Sequence, residues 1–294
     1  MKKILVIGGS GFLGLKVAEA LSKDNFDVIC VGTRLSCKFL PNNVNYYSIN
    51  NVLEMTELIN DLGVDLIINC AVKYDFDYDY CSLVKTNIQL AYDAMMICLD
   101  KSLPYIHADT FYTNKEFISY GSHQDYITTK LVAKNLLQDL RNRRNLRATR
   151  LIFYHLYGYG DSPKKFIPRL ITSLRQGAIV NLTHGSQKRD FIYVDDAALS
   201  VCSAVKYLLN PDNKPIDLDV GLGSGISIRE LALLARKLTG SKSELVFGSQ
   251  KMRENEVDEI YADTTNHKAF AWTPKTSIEE GLNQMISRIG GHKK

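Results

Sequence analysis

No apolar run in this chain approaches the ~20 residues needed to span a bilayer as a helix. Met1-Lys2-Lys3 is followed by only four apolar residues and then glycine, too little for the apolar segment of a secretory leader. The six cysteines (30, 37, 70, 81, 98 and 202) contain no C-x-x-C spacing, so reduced and often buried thiols are expected rather than a disulfide framework. The six histidines are scattered, and no metal site can be read from their spacing. Internal repeats and low-complexity tracts are absent. A strong excess of one charge is missing too: a net charge of +4 is compatible with a phosphorylated ligand and gives no ground for nucleic acid. These absences leave a soluble, cytoplasmic protein with no membrane or nucleic-acid partner as the expectation. With 294 residues, 45% of them hydrophobic, the chain can bury a large core as one big domain or two coupled ones.

What is present begins at Lys3–Ile7, a short apolar run rich in β-branched residues that predicts a strand buried on both faces. Gly8-Gly9-Ser10-Gly11-Phe12-Leu13-Gly14 follows and leads into an amphipathic helix carrying Leu13, Val17 and Leu21. Glycines at 8, 11 and 14 let the backbone turn tightly and approach a pyrophosphate, at which the helix N-terminus aims its amide dipoles. Strand before and helix after supply the context that a glycine triplet alone lacks. The second strand, Asp27 to Val31, ends on Gly32-Thr33-Arg34, without the acid that commonly accepts from an adenosine 2′-hydroxyl. Arg34 offers a guanidinium fork suited to a 2′-phosphate, which favours NADP(H), with a solvated loop arginine as the other reading.

Further along, Asn50-Asn51 either reach the adenine or serve as turn residues. Asp65 to Ala71 predicts another buried strand whose carboxyl end faces the cofactor. The tract Lys73 to Tyr80 alternates aromatic and acidic residues, as a loop over the site or an ordinary surface loop would. Tyr105 to Tyr112 is the next strand with its exit loop. Strands alternating with helices to this point imply an α/β, Rossmann-type, doubly wound parallel sheet with ligands at the strands' carboxyl ends. Sixteen residues after Thr110, past a short loop that includes His123, stands Tyr126-Ile-Thr-Thr-Lys130. On a helix the phenol and ammonium share one face, and Lys130 is expected to lower the Tyr126 pKa so that the phenol can protonate a ketone. Arg141 to Arg147 is a basic knot read as solvated. Asp195-Asp196 is read as capping a helix through Leu209, Ser227-Ile-Arg-Glu230 as a capping box, and Gly290 to Lys294 as a frayed tail.

Together these residues resemble the extended short-chain dehydrogenase/reductase superfamily of nucleotide-sugar enzymes. The glycine loop, Tyr126/Lys130, Tyr157-Gly158 and Arg189-Asp-Phe-Ile-Tyr-Val-Asp-Asp196 stand in that family's order over nearly the whole chain. Within it the chain looks most like the CDP-abequose and CDP-paratose synthases, through Asp109 to Phe117, Tyr126 to Lys130, Lys165-Phe-Ile-Pro168 and Arg253-Glu-Asn-Glu256. The resemblance implies reduction of the 4-keto group of a nucleotide-linked, CDP-type deoxyhexulose for O-antigen synthesis. It implies Tyr126 as the acid and Lys130 holding the nicotinamide ribose. Gly8, Gly11, Phe12, Leu13, Gly14, Thr33, Arg34, Asn50, Ala71 and Asn87 are the further cofactor candidates, with the Asn87 amide bridging to Lys130. Lys73, His123, Arg189 and Arg253 are the candidates for the substrate, a nucleotide-diphosphate sugar. It also implies a homodimer through the two helices flanking the site.

One departure stands out. The register of the family's catalytic Ser/Thr falls on Ala108, which has no hydroxyl, and Thr110 is the substitute on the same strand face. Asp109 is followed by Thr110 and not by glutamate, which weighs against a dehydratase. A nucleotide-sugar epimerase and a dinucleotide-binding protein without catalysis are the alternatives. Residues 1–157 with a returning 189–217 are expected to form the cofactor domain, and 158–188 with 218–294 a smaller α/β substrate domain.

Overall fold

A computed structural model describes residues 1–37, 39–74, 79–114 and 123–290. The amino-terminal alternation runs β1 (Lys3–Ile7), α1 (Phe12–Lys23), β2 (Asp27–Gly32), β3 (Asn45–Ser48), α2 (Val52–Leu62), β4 (Leu66–Asn69), α3 (Tyr80–Leu83), a π turn over Val84–Gln89, α4 (Leu90–Asp100), β5 (Tyr105–Thr110), α5 (Gln124–Arg144) and β6 (Ala148–Phe153). Then follow β7 (His155–Tyr157), α6 (Phe166–Arg175), β8 (Val180–Leu182), β9 (Lys188–Arg189), β10 (Phe191–Tyr193), α7 (Val194–Leu209), β11 (Leu218–Val220), β12 (Ile226–Ser227), α8 (Ile228–Thr239), β13 (Leu245–Phe247), β14 (Glu259–Ile260) and α9 (Ile278–Gly290).

Seven strands pair in parallel in the order β11-β6-β5-β4-β1-β2-β3, the doubly wound arrangement expected. The apolar runs of the central strands β1 and β4 are explained by burial on both faces. One face packs on Val17, Ala18 and Leu21 of α1 and on Val201, Val205 and Leu208 of α7. The other packs on Met55 and Ile59 of α2, Ala94 and Met95 of α4, and Ala133 and Leu137 of α5. A separate core of α6, α8 and α9 with Tyr157, Phe191 and Tyr193 builds the smaller half. Phe270 and Trp272 cross back to the first face, where Trp272 donates its Nε1–H to the Asp196 carbonyl at 3.1 Å.

Several details differ from the sequence reading. The expected division at 217 falls one strand early, because β11 completes the large sheet beside β6. Asp195 and Asp196 lie inside the first turn of α7, whose N-cap is Tyr193, and the buried Asp196 carboxylate accepts from the Lys275 and Thr276 amides. The basic knot is not simply solvated: Arg141 bonds Asp217 at 2.6 Å, and Arg147 donates to the carbonyls of Leu208 and Asn210. Asn51 caps α2 by accepting from the Glu54 amide. The Ser227/Glu230 capping box is present. Residues 75–78 of the aromatic-acidic tract, 115–122 before Tyr126 and the tail 291–294 lie outside the described residues. Among those described, no helix is long and apolar enough to cross a membrane.

Candidate active site

The glycine turn hangs from the end of β2, where Gly8 and Gly9 donate to the Val31 carbonyl at 2.9 and 3.3 Å. Gly8 has φ +77°, and a Cβ on it would lie 2.7 Å from Ala71 backbone atoms. A Cβ on Gly14 would lie 2.2 Å from the Gly8 carbonyl oxygen, so only glycine lets α1 start this close to the strand. Gly11 is the N-cap of α1, exposed, with no side-chain cap and no acid in the first turn. Those first amides are left for an anion. Leu13 turns its side chain into the core, so its backbone is what it offers a ligand. Thr33 and Arg34 are exposed at the rim, with Arg34 Nη1 3.5 Å from the Ser10 carbonyl of the same turn. Asn50 is exposed and its amide N–H is bonded to Glu54.

Across the carboxyl ends of the strands, β5 and α5 bring Thr110, Tyr126 and Lys130 together. Tyr126 is 3% exposed, shares a side-chain hydrogen bond with Thr110, and stacks on Tyr74 with ring centroids 4.8 Å apart. Lys130 Nζ donates to the Ala108 carbonyl at 2.7 Å, lies 3.2 Å from His107 Nε2 and 3.8 Å from Asp109 Oδ1. Burial holds His107 well below its ordinary pKa, so its ring is neutral. A proton on Nδ1, which lies 3.1 Å from the Tyr105 hydroxyl, leaves Nε2 to accept from the ammonium.

The expected depression of the Tyr126 pKa by Lys130 is not what this arrangement gives. Burial, with Tyr74 and Asp109 next, pushes the phenol well above its usual range, while the Thr110 hydrogen bond pulls the other way. Lys130 is directed at the end of β5, and burial lowers its own pKa against the attraction of Asp109. The phenol is therefore held in its protonated form, the form an acid needs. Asn87 also departs from expectation. Buried in the π turn, it grips the Lys73 backbone at 2.9 Å on both sides and donates to the Thr129 hydroxyl at 3.0 Å, not to Lys130.

Lys165, quoted in the sequence only as part of a motif, enters from the smaller half. Its ammonium pairs with Asp161 at 2.9 Å and lies 5.3 Å from the Tyr74 ring and 5.7 Å from the Phe12 ring. This chain of contacts links the glycine turn to the Tyr126 face. On the other side an aromatic row runs from Tyr126 through Tyr112 and Phe111 to His155 and Phe191. Burial, with nearby Arg189 next, lowers the His155 pKa to about 3.

Of the remaining candidates, Lys73 directly precedes the Tyr74 that stacks on Tyr126. Arg189 is 3% exposed, ion-paired with Glu256 and bonded to the Lys188 carbonyl at 2.7 Å. Arg253 and Lys73 are exposed, and His123 is the N-cap of α5. The ion-pair roles of Asp109, Arg150 and Asp217 escaped the sequence reading. The available signal was an aspartate inside an otherwise buried strand, which demands a partner.

The NAD dependent epimerase/dehydratase family model matches residues 4–221. A CDP-abequose synthase of Salmonella typhimurium is 29% identical over 97% of this chain and 98% of its own length. A putative UDP-glucose 4-epimerase of Methanocaldococcus jannaschii is 25% identical over 97% of each. Among solved structures, UDP-glucose 4-epimerase of Thermotoga maritima with UDP-glucose superposes with a TM-score of 0.83 at 22% identity over 98% of both chains, a likeness of fold. With the strand–glycine turn–helix and the Tyr126/Lys130 helix in place, the chain belongs to the NAD dependent epimerase/dehydratase family.

Proposed function

We propose that this protein uses NADPH to reduce the 4-keto group of a nucleotide-linked deoxyhexulose, with a CDP carrier. The observation that carries the reading is the meeting of Thr110, Tyr126 and Lys130 at the end of β5, joined through Tyr74 and Lys165 to Phe12 of the glycine turn. The uncapped N-terminus of α1 and the close-packed glycines at 8 and 14 fit a dinucleotide pyrophosphate. Exposed Arg34 beside Ser10, with no acid on the end of β2, fits a 2′-phosphate. When bound, the reduced nicotinamide supplies a hydride to the carbonyl carbon.

The chain's own residues handle the oxygen. Tyr126 gives its phenolic proton to the carbonyl oxygen as that oxygen gains charge. Thr110, already bonded to Tyr126, is placed to donate to the same oxygen and takes the part that Ala108 lacks. The Lys130 ammonium, one helical turn from Tyr126, adds positive charge at the end of β5. Full-length relatives named CDP-abequose synthase, in Salmonella typhimurium and Salmonella muenchen, support the choice of substrate. The half-exposed Tyr92 and Met96 of α4 and Val132 of α5 support a homodimer through those two helices.

The test is NADPH oxidation, followed at 340 nm, with a CDP-linked 4-keto-3,6-dideoxyhexose, alongside NADH and alongside UDP-glucose assayed for epimerisation. Consumption of NADPH with the CDP-ketosugar is expected. Epimerisation without net consumption of reduced cofactor would replace this reading with the epimerase one, and cofactor binding without either reaction would favour the non-catalytic one.

A further inference from the structure

Five charged side chains alternate in sign outward from the site. Lys130, Asp109, Arg150, Asp217 and Arg141 follow one another at 3.8, 2.9, 3.1 and 2.6 Å. The first three side chains are 3%, 0% and 6% exposed, and the last two reach solvent at 25% and 22%. The row starts and ends on α5, passing through β5, β6 and the residue before β11, so it ties both halves of that helix to the sheet. Within it the two Asp109 oxygens have different neighbours. Oδ2 accepts from Arg150 at 2.9 Å and from the Thr113 hydroxyl at 3.0 Å. Oδ1 faces Lys130 and has no hydrogen-bond partner among the described residues. Asp109 thus meets Lys130 at 3.8 Å chiefly as a charge, while the ammonium donates to the Ala108 carbonyl at 2.7 Å.

We propose that Asp109 is a positioning residue, the buried counter-charge that keeps Lys130 an ammonium at the end of β5. The proposal rests on the reductase reading above. A lysine taken out of water sheds its proton readily, and burial does lower Lys130. Among the described residues, the titratable and charged groups facing it are few. From β5 come Asp109 and the neutral His107; from β6 comes Arg150, which repels it. From the end of β4 comes Cys70, a thiol raised to about 12 by burial, and from its own helix comes the protonated Tyr126. Asp109, ion-paired with Arg150, is the one carboxylate among these. The same carboxylate raises the Tyr126 pKa, so one residue favours the protonated form of both groups.

The competing account is a clasp that merely holds α5 on the sheet, and the charge on Lys130 separates the two. The full chain labelled with ¹³C,¹⁵N-lysine is titrated by NMR, with the Lys130 signal identified by its loss in Lys130→Arg. The parent should show an ammonium through pH 8, and Asp109→Asn should lower the Lys130 midpoint by about one pH unit or more. Asp217→Asn, which removes the carboxylate behind Arg150, should move it far less. The alkaline limb of NADPH oxidation should shift down with the midpoint in Asp109→Asn, so that the loss of rate is greatest at high pH. An unmoved Lys130 midpoint, or a loss of rate equal at every pH, overturns the proposal. Should Asp109→Asn not fold, the parent decides: Lys130 found neutral at pH 7 overturns it, and Lys130 found charged, with only a small shift in Asp217→Asn, supports it. A parent that never oxidises NADPH defeats the reductase reading, while the NMR titration still decides the role of Asp109.

Discussion

The Tyr126 ring has two jobs that a single atom separates: its hydroxyl faces Thr110 and its face stacks on Tyr74. Tyr126→Phe keeps the stack and removes the proton, so reduction should fall by ~10²–10⁴-fold with NADPH fluorescence quenching intact. Thr110→Val should cost ~10²-fold or more by removing one donor to the developing oxyanion. A parent-like rate in either variant contradicts the assignment. Arg34→Ala should weaken NADPH binding by about tenfold or more and leave NADH nearly unchanged, the loss of a charge-assisted hydrogen bond. At this scale the sequence was partly legible. Tyr126 and Lys130 could be paired because helical spacing is local. Lys165 and Asp109 could not be given roles, since their partners Tyr74 and Arg150 lie on other elements and no periodicity announces them. Arg189 looked available for a phosphate because Glu256, its ion-pair partner, stands far away in sequence.

Among the elements, α1 and α8 start in opposite ways, and the contrast can be measured. At α8 the cap is a side chain, Ser227, accepting from the Glu230 amide. Ser227→Ala should cost about 1 kcal/mol of stability and leave the affinity for NADPH untouched. At α1 the start depends on the lack of a side chain. Gly14→Ala places a methyl 2.2 Å from the Gly8 carbonyl, a backbone atom that cannot step aside. Overpacking of that kind costs about 1–3 kcal/mol, and here it should also abolish NADPH quenching. Calorimetry with a fluorescence titration on both variants separates the two effects. Helices and central strands were legible because burial on one stripe or on both faces leaves a pattern in the chain. The register that sets His107 beside Arg150 on β5 and β6 leaves none.

For the whole molecule, acid should loosen the fold before its carboxylates titrate. Burial holds His107 well below the ordinary histidine value of about 6.5, and holds His155 at about 3. Their folded values are depressed, so the stability they contribute is complete above that ordinary value and is lost as pH falls toward the folded ones. The slope is up to about 1.4 kcal/mol per pH unit for each ring. The urea midpoint should be lower at pH 5.5 than at 7.5, and His155→Phe should flatten the difference. A midpoint that rises or stays level on acidification contradicts it. Farther down, Asp161, Asp190 and Asp219, all raised by burial, pull the other way.

Trp272 is the chain's lone tryptophan, and it sits in the core under α1 and α7 although it belongs to the last stretch of the sequence. Its indole is thereby a built-in gauge of whether the carboxyl-terminal third is seated on the cofactor half. A cut after residue 221, where the family match stops, would strip Phe270 and Trp272 from that face and leave a greasy hollow behind. The severed amino-terminal piece, complete though its glycine turn would be, should clump rather than bind NADPH.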